Sequence, residues 1–339
     1  MTKLPPLPAQ PAGMPWPTTD WPEAKPDAST AAKLSPLLDL AFSDPAPATL
    51  GETHAFLAVQ GGRIVAERYW TGFGPDSTHH SWSQAKSMTQ ALIGILVREG
   101  KIDIHAPADV PEWKGEDDPR RAITLDQLLR MSSGLKFAED YVDAGVSDVI
   151  EMLFGSGKED VGGFAAKFPL AHPPGTAWSY ASGTTNIVAR LAARALGAGG
   201  EAFRDFMARD LFGPLGMRSA DPRFDRAGTF IGSSFCFCTE RDFARFGLLY
   251  LRDGNWDGRR ILPEATSTAF SSNGQVLTAC RVSGLSGLCS NRMKCPPGLS
   301  TRRISSSSRP WIASSMWWKT QAVKTRSKLS ASAGMVRPS

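Results

Sequence analysis

Ser81-Trp82-Ser83-Gln84-Ala85-Lys86-Ser87-Met88-Thr89-Gln90-Ala91-Leu92-Ile93-Gly94-Ile95-Leu96-Val97-Arg98-Glu99-Gly100 is the stretch from which the rest of the chain can be read. Apolar residues at Ala85, Met88, Leu92, Ile93, Ile95 and Leu96 recur at helical spacing, and Gly100 suits a left-handed cap. The pattern predicts a helix over 83–99. Residues three apart share one face of a helix, so Ser83 and Lys86 converge. A serine hydroxyl is a poor nucleophile until a base takes its proton, and a lysine serves as that base where desolvation or neighbouring positive charge disfavours its ammonium. A helix N-terminus supplies such positive potential, together with backbone N–H groups able to hold an oxyanion. Taken alone, the tetrapeptide equally describes an N-cap serine followed by a surface lysine.

Upstream, Ala55–Val59 and Ile64–Trp70 are strand-like runs separated by Gln60-Gly61-Gly62-Arg63, which predicts a tight β-hairpin. Ser29–Phe42 has helical spacing with Ser29 placed as cap, and Pro36 is expected to kink or restart that helix. Residues 1–28 carry eight prolines and read as an extended arm along the surface. Downstream, Leu125–Met131 behind Thr124 reads as a short helix closed by Ser132-Ser133-Gly134. Further helices are expected around 147–154, 185–196, 201–212 and 240–252. Tyr180-Ala181-Ser182 follows Pro173-Pro174-Gly175-Thr176 and precedes one of them. A tyrosine at that junction is placed either to relay protons for Ser83 and Lys86 or to sit half-buried at a helix start.

The chain has 339 residues, 42% of them hydrophobic, which suffices for one large core or two modest ones. Its net charge of +5 is unevenly spread. Residues 271–339 hold 11 Lys and Arg and no acidic residue, leaving 27 basic against 33 acidic groups, a net of −6, in residues 1–270. A nucleic-acid partner would rest on that tail alone, without a recognisable module, and none is expected. No apolar run reaches the roughly 20 residues of a membrane span, and the first 26 residues lack the apolar core of an export signal, so the expected location is cytoplasmic. The five cysteines form no metal-ligand pattern, and no metal or cofactor is expected.

The tail breaks the order of the rest. It holds 16 serines and no sustained period of 2 or 3.6, and its dense apolar patch is Trp311-Ile312 with Met316-Trp317-Trp318. One account is a one-base frame shift in a GC-rich gene, which converts valine codons to serine codons and would have erased a strand at 305–308. The organisation expected is an arm over 1–28, an α/β part with the hairpin over 29–82, a mainly helical region over 83–270, and the atypical tail over 271–339.

Several segments together carry a family resemblance over about Ala55 to Pro263. They are Gly62-Arg63-Ile64-Val65-Ala66-Glu67-Arg68-Tyr69, the Ser83-Gln84-Ala85-Lys86 tetrapeptide, Ile123-Thr124-Leu125-Asp126-Gln127-Leu128-Leu129 with Ser132-Ser133-Gly134-Leu135, and Pro174-Gly175-Thr176 with Tyr180-Ala181-Ser182. The chain resembles class C β-lactamase-like serine hydrolases, whose signatures include Ser-x-x-Lys. Within them it looks most like the 6-aminohexanoate-dimer hydrolases and related family VIII esterases. The resemblance implies an α+β fold, with an antiparallel sheet flanked by helices beside a mainly helical domain. It also implies cleavage of a small amide or ester through an acyl-enzyme. Ser83 would attack, Lys86 would take its proton, Tyr180 would pass a proton to the leaving group, Ser182 would add a polar contact, and Tyr141 would line the substrate pocket or fill a surface groove.

The family's third motif, a Lys-Thr-Gly or His-x-Gly type triplet on a late strand, is not recognisable. Lys319-Thr320-Gln321 and Lys324-Thr325-Arg326 lack its glycine. The sheet is therefore expected to be incomplete at its C-terminal end, and an inactive relative is one alternative. A β-lactamase or D-alanyl-D-alanine peptidase is another. A Ser-His-Asp hydrolase is disfavoured, because His54, His79, His80, His105 and His172 stand in no motif that would orient one as base.

Overall fold

Gly61 and Gly62 take φ angles of 58° and 72°, the left-handed pair that a two-residue hairpin turn requires. They join β1 (Ala55–Gln60) to β2 (Arg63–Tyr69) in the antiparallel register Ala55↔Tyr69, as the sequence predicts. The computed structural model describes residues 12–141 and 147–264, and the backbone of 312–314. Before the hairpin, α1 (Ala28–Ala41) starts one residue earlier than expected. Its cap is Asp27, not Ser29: the Asp27 carboxylate accepts from the Thr30 N–H at 2.9 Å and its hydroxyl at 2.8 Å. A carboxylate suits the positive end of a helix better than a serine hydroxyl does. Pro36 sits inside α1 without interrupting it, and α1 buries no residue.

Past the hairpin come β3 (Thr78–His80), α2 (Gln84–Arg98) and α3 (Leu125–Leu129). Thr124 and Gln127 close a reciprocal capping box on α3. The helical region continues with α4 (Asp148–Phe154), α5 (Val161–Ala166), α6 (Ser182–Leu196) and α7 (Glu201–Met207). A π-turn over Ala208–Phe212 leads into α8 (Gly213–Leu215). Two-residue β4 (Asp221–Pro222) and β5 (Cys236–Thr239) precede α9 (Glu240–Leu251), and β6 (Asn255–Trp256) pairs with β7 (Arg259–Arg260). A second small sheet has the order β3-β5-β4.

α2 is the centre of the molecule. Every residue from Ala85 to Leu96 is buried, polar Lys86, Ser87, Thr89 and Gln90 included. A helix buried on all sides needs partners all round. α6 packs on it, and the core cluster runs from Trp21 through Leu57, Met88 and Ile187 to Leu262. The predicted α2 boundary holds within a residue, and Gly100 takes its left-handed φ of 68°.

In the tail, β8 (Ile312–Ser314) pairs antiparallel with the free side of β1 in the register Val59↔Ile312, giving the sheet order β2-β1-β8. The tail thus contributes a strand at its apolar patch, where the lack of a sustained period pointed to none. Three residues are too few to show a period. The strand envisaged at 305–308 lies outside the described residues. The described sheets remain small, with three, three and two strands.

The arm does not simply lie on the surface. Trp21 is 7% exposed and donates through Nε1 to the Arg241 carbonyl at 3.1 Å. Arg245 Nε donates to the Pro17 carbonyl at 2.6 Å, Trp256 Nε1 to Thr18 Oγ1 at 2.8 Å, and the Arg252 guanidinium lies 3.7 Å from the Trp16 ring centre. Burial pulls the Arg252 pKa down to about 10. Prolines remove most of this segment's N–H donors, so its carbonyls and tryptophans make most of the contacts, with the Ala24 N–H donating to the Ile64 carbonyl at 2.9 Å. Trp21→Ala is expected to cost about 3 kcal/mol of folding stability, read from urea unfolding midpoints; a change under about 0.5 kcal/mol would show that the arm is not part of the core.

Candidate active site

Ser81 fixes the turn into α2. Its hydroxyl donates to the Ser234 carbonyl at 3.0 Å and accepts from the Cys236 N–H at 3.0 Å, tying the end of β3 to the start of β5. Trp82 then takes φ 41°, an unusual value for a bulky residue, and the chain turns directly into the helix. Ser83 occupies the N-cap position but makes no side-chain cap hydrogen bond, so its hydroxyl is not committed to the helix end. Lys86 is 3% exposed. The alternative of an N-cap serine followed by a surface lysine does not describe this site.

Lys86 Nζ lies 3.2 Å from Ser83 Oγ, 3.0 Å from Ser182 Oγ and 2.9 Å from the Ser233 carbonyl oxygen. Tyr180 donates through its hydroxyl to Ser83 Oγ at 2.7 Å, and its ring centre is 4.9 Å from Lys86 Nζ. The loop carrying Tyr180 is held by backbone bonds from Ser179 N–H to the Met131 carbonyl at 2.8 Å and from Gly175 N–H to the Ser132 carbonyl at 2.7 Å. Gly134 makes this approach possible: a Cβ there would stand 2.2 Å from the His172 carbonyl oxygen. Four of the five residues singled out in the sequence, Ser83, Lys86, Tyr180 and Ser182, are therefore brought together, with Lys86 in contact with each of the other three.

The fifth, Tyr141, joins through a residue the sequence did not single out. Glu139 Oε2 accepts from the Ser182 N–H at 2.7 Å, and Oε1 accepts from the Ser182 hydroxyl at 2.6 Å and the Tyr141 hydroxyl at 2.5 Å. Tyr141 is 58% exposed. Asn186, fully buried one turn into α6, accepts from the N–H of Ser233, the residue whose carbonyl receives Lys86, at 3.0 Å. Glu139 had one usable signal, its Glu-x-Tyr spacing to Tyr141 in a loop.

These contacts dictate a proton inventory. A carbonyl only accepts, so Lys86 donates to Ser233. The single Ser182 proton goes to Glu139, so Ser182 also accepts from Lys86. Two of the three tetrahedral positions on Nζ are then occupied by N–H bonds. The third faces Ser83, and in the neutral amine that position is the lone pair.

Two titratable groups stand just behind the turn. Burial lowers the His80 pKa to about 4, and His80 lies between the rings of Trp82, at 4.0 Å, and Phe237, at 4.7 Å. Burial also raises Glu240 to about 8, 3.2 Å from His79 Nδ1.

The beta-lactamase family model matches residues 52–230, more than half of the chain. The chain belongs to the beta-lactamase family. Among curated relatives of this family member, the 6-aminohexanoate-dimer hydrolase of Paenarthrobacter ureafaciens is 30% identical over 223 residues, 62% of this chain and 55% of the relative. The D-aminopeptidase of Cereibacter sphaeroides is 31% identical over 173 residues, 48% of this chain and 31% of the relative. The chain thus spans about half, or less, of the length of the curated relatives it matches. Among solved structures, a Bacillus anthracis protein provisionally named a 6-aminohexanoate-dimer hydrolase superposes with a TM-score of 0.60 at 24% identity, covering 74% of this chain and 66% of that one. The penicillin-binding protein homologue of Pyrococcus abyssi gives 0.52 at 17% identity, covering 70% and 59%. Both share the mixed helix and antiparallel-sheet architecture of this beta-lactamase family member. The two near-matches to the third motif, at 319–321 and 324–326, lie outside the described residues. No described helix is long and apolar enough to cross a membrane.

His80 binds a proton less readily folded than unfolded, so its contribution to stability is whole above about pH 6.5 and is lost as pH falls toward about 4. Urea unfolding at pH 4.5, 5.5 and 7 checks this. The wild type is expected to lose more stability on acidification than His80→Phe, and identical pH dependence would contradict the neutral, enclosed imidazole.

Proposed function

We propose that the chain hydrolyses a small amide or ester through an acyl-enzyme on Ser83. The observation that carries this reading is the buried Lys86 aimed at Ser83 while its other two positions are held by Ser182 and Ser233. Ser83 Oγ attacks the acyl carbon as its proton passes to Lys86 Nζ. The tetrahedral intermediate collapses as Tyr180, 2.7 Å from Ser83 Oγ, gives its proton to the departing amine or alkoxide and regains one from the Lys86 ammonium, which returns Lys86 to the neutral amine. Water then attacks the acyl carbon and gives its proton to Lys86, and that proton passes to Ser83 Oγ as the acyl–oxygen bond breaks, releasing the acid and free Ser83. Tyr141, exposed and bonded to Glu139, is the residue we assign to contact the substrate.

The names of the two curated relatives, a 6-aminohexanoate-dimer hydrolase and a D-aminopeptidase, support an amide substrate. The family itself keeps a β-lactam ring as the second reading.

A fluorophosphonate probe is expected to label the wild type and not Ser83→Ala. Lys86→Met is expected to slow labelling by at least about 100-fold, the scale of general-base assistance. Labelling that survives Ser83→Ala, or its absence from the wild type, would sink the reading. Parallel assays with p-nitrophenyl acetate and nitrocefin separate the two substrate classes. Turnover of nitrocefin alone would replace the amidase and esterase reading with a β-lactamase.

A further inference from the structure

Three aromatic rings from three separate elements form a row that starts at Trp82, the residue before Ser83. Trp82 precedes the serine directly and is 38% exposed. Phe235, two residues past the Ser233 carbonyl that receives Lys86, lies 6.1 Å from Trp82 between ring centres, edge-on at 66°. Phe154, the last residue of α4, lies 6.0 Å from Phe235 and is 54% exposed. His80 backs the row, 4.0 Å from Trp82 and 4.8 Å from Phe235. Isolated exposed aromatics are ordinary on protein surfaces, whereas a contiguous row ending at a nucleophile is a binding feature.

The charge around the row is as informative as its shape. Burial keeps the imidazole of His80 neutral at physiological pH. Arg223, 5.4 Å from the centre of the Phe237 ring that stacks on His80, is paired with Asp221 at 2.6 Å. Trp82 is held in its left-handed conformation by the same Ser81 bonds that set the nucleophile, so the first ring and Ser83 keep a fixed relation.

We propose that Trp82, Phe235 and Phe154 form the subsite for an uncharged, apolar group attached to the bond that Ser83 cleaves. The inference rests on the proposed acyl-enzyme chemistry and adds the substrate class. An alkyl or aryl chain laid along the row removes apolar surface on both partners from water, and each methylene so buried is worth up to about fourfold in binding. A charged end laid against the rings would give up hydration that an apolar end does not have to lose.

The test is a series of p-nitrophenyl esters from acetyl to hexanoyl, with a second series in which the acyl group stays acetyl and the alcohol lengthens. In one series kcat/KM is expected to rise about tenfold or more with chain length, and the series that shows it tells which side of the bond the rings face. Phe154→Ala and Phe235→Ala are expected to compress the hexanoyl-to-acetyl ratio at least threefold, chiefly through KM, with Phe235→Leu restoring part of it. The 6-aminohexanoyl ester is expected to lag behind the hexanoyl ester. Flat dependence in both series, a ratio unchanged in Phe154→Ala, or preference for the 6-aminohexanoyl ester would overturn the subsite while Ser83-dependent turnover of the acetyl ester leaves the hydrolase reading standing. If no ester is turned over, the hydrolase reading fails, and calorimetry still decides the subsite. Hexanamide is expected to bind the Ser83→Ala protein at least tenfold more tightly than acetamide, and equal affinities would overturn it.

Discussion

The site depends on one buried amine. Lys86 is taken out of water on a helix enclosed on every side, and its charged form has no carboxylate in direct contact among the described residues; its three polar neighbours are two hydroxyls and a carbonyl. A buried amine that lacked those partners would cost several kcal/mol. Its environment is therefore built from elements far apart in the chain. α2 brings Ser83 and Lys86, α6 brings Ser182 and Asn186, the segment before β5 brings Ser233, and the loop after α3 brings Glu139.

Each contributor is itself oriented. Glu139 takes the Ser182 proton, which leaves Ser182 able only to accept from Lys86, and Asn186 anchors Ser233 by accepting from its N–H. Ser81 locks the strand end, and the left-handed Trp82 turns the chain so that Ser83 reaches the N-cap position with its hydroxyl uncommitted to the helix. The strain of Trp82 is local and is held by the buried network around Ser81. Nucleophile, base and aromatic row thus share one support, and a disturbance at Ser81 would move all three.

Much of this was legible in the residues, for physical reasons. α2 shows itself because a helix buried all round must be apolar wherever it is not functional, and its polar exceptions include Lys86. Tyr180 and Ser182 show themselves by standing at a loop-to-helix junction, and the hairpin by its paired glycines. Glu139 and Asn186 do not, because they act across 43 and 47 residues of sequence on partners whose spacing carries no period, and the Ser233 carbonyl has no side-chain signature at all. Asp27 and Ser29 both offer a capping oxygen at the start of α1, and the choice between them turns on backbone geometry that the sequence does not display. The short strands β4 and β8, of two and three residues, are below the length at which alternation can be seen.

The claim that Glu139 and Ser182 turn the open position of Lys86 toward Ser83 is tested most directly by the pre-steady-state burst of p-nitrophenolate from p-nitrophenyl acetate in wild type and Glu139→Gln. A glutamine amide can donate to Ser182 Oγ, which frees the Ser182 proton to occupy the Lys86 lone pair. The account predicts a burst about tenfold slower or more in Glu139→Gln, with the adduct still on Ser83 by mass spectrometry. Equal burst rates in the two proteins would contradict it.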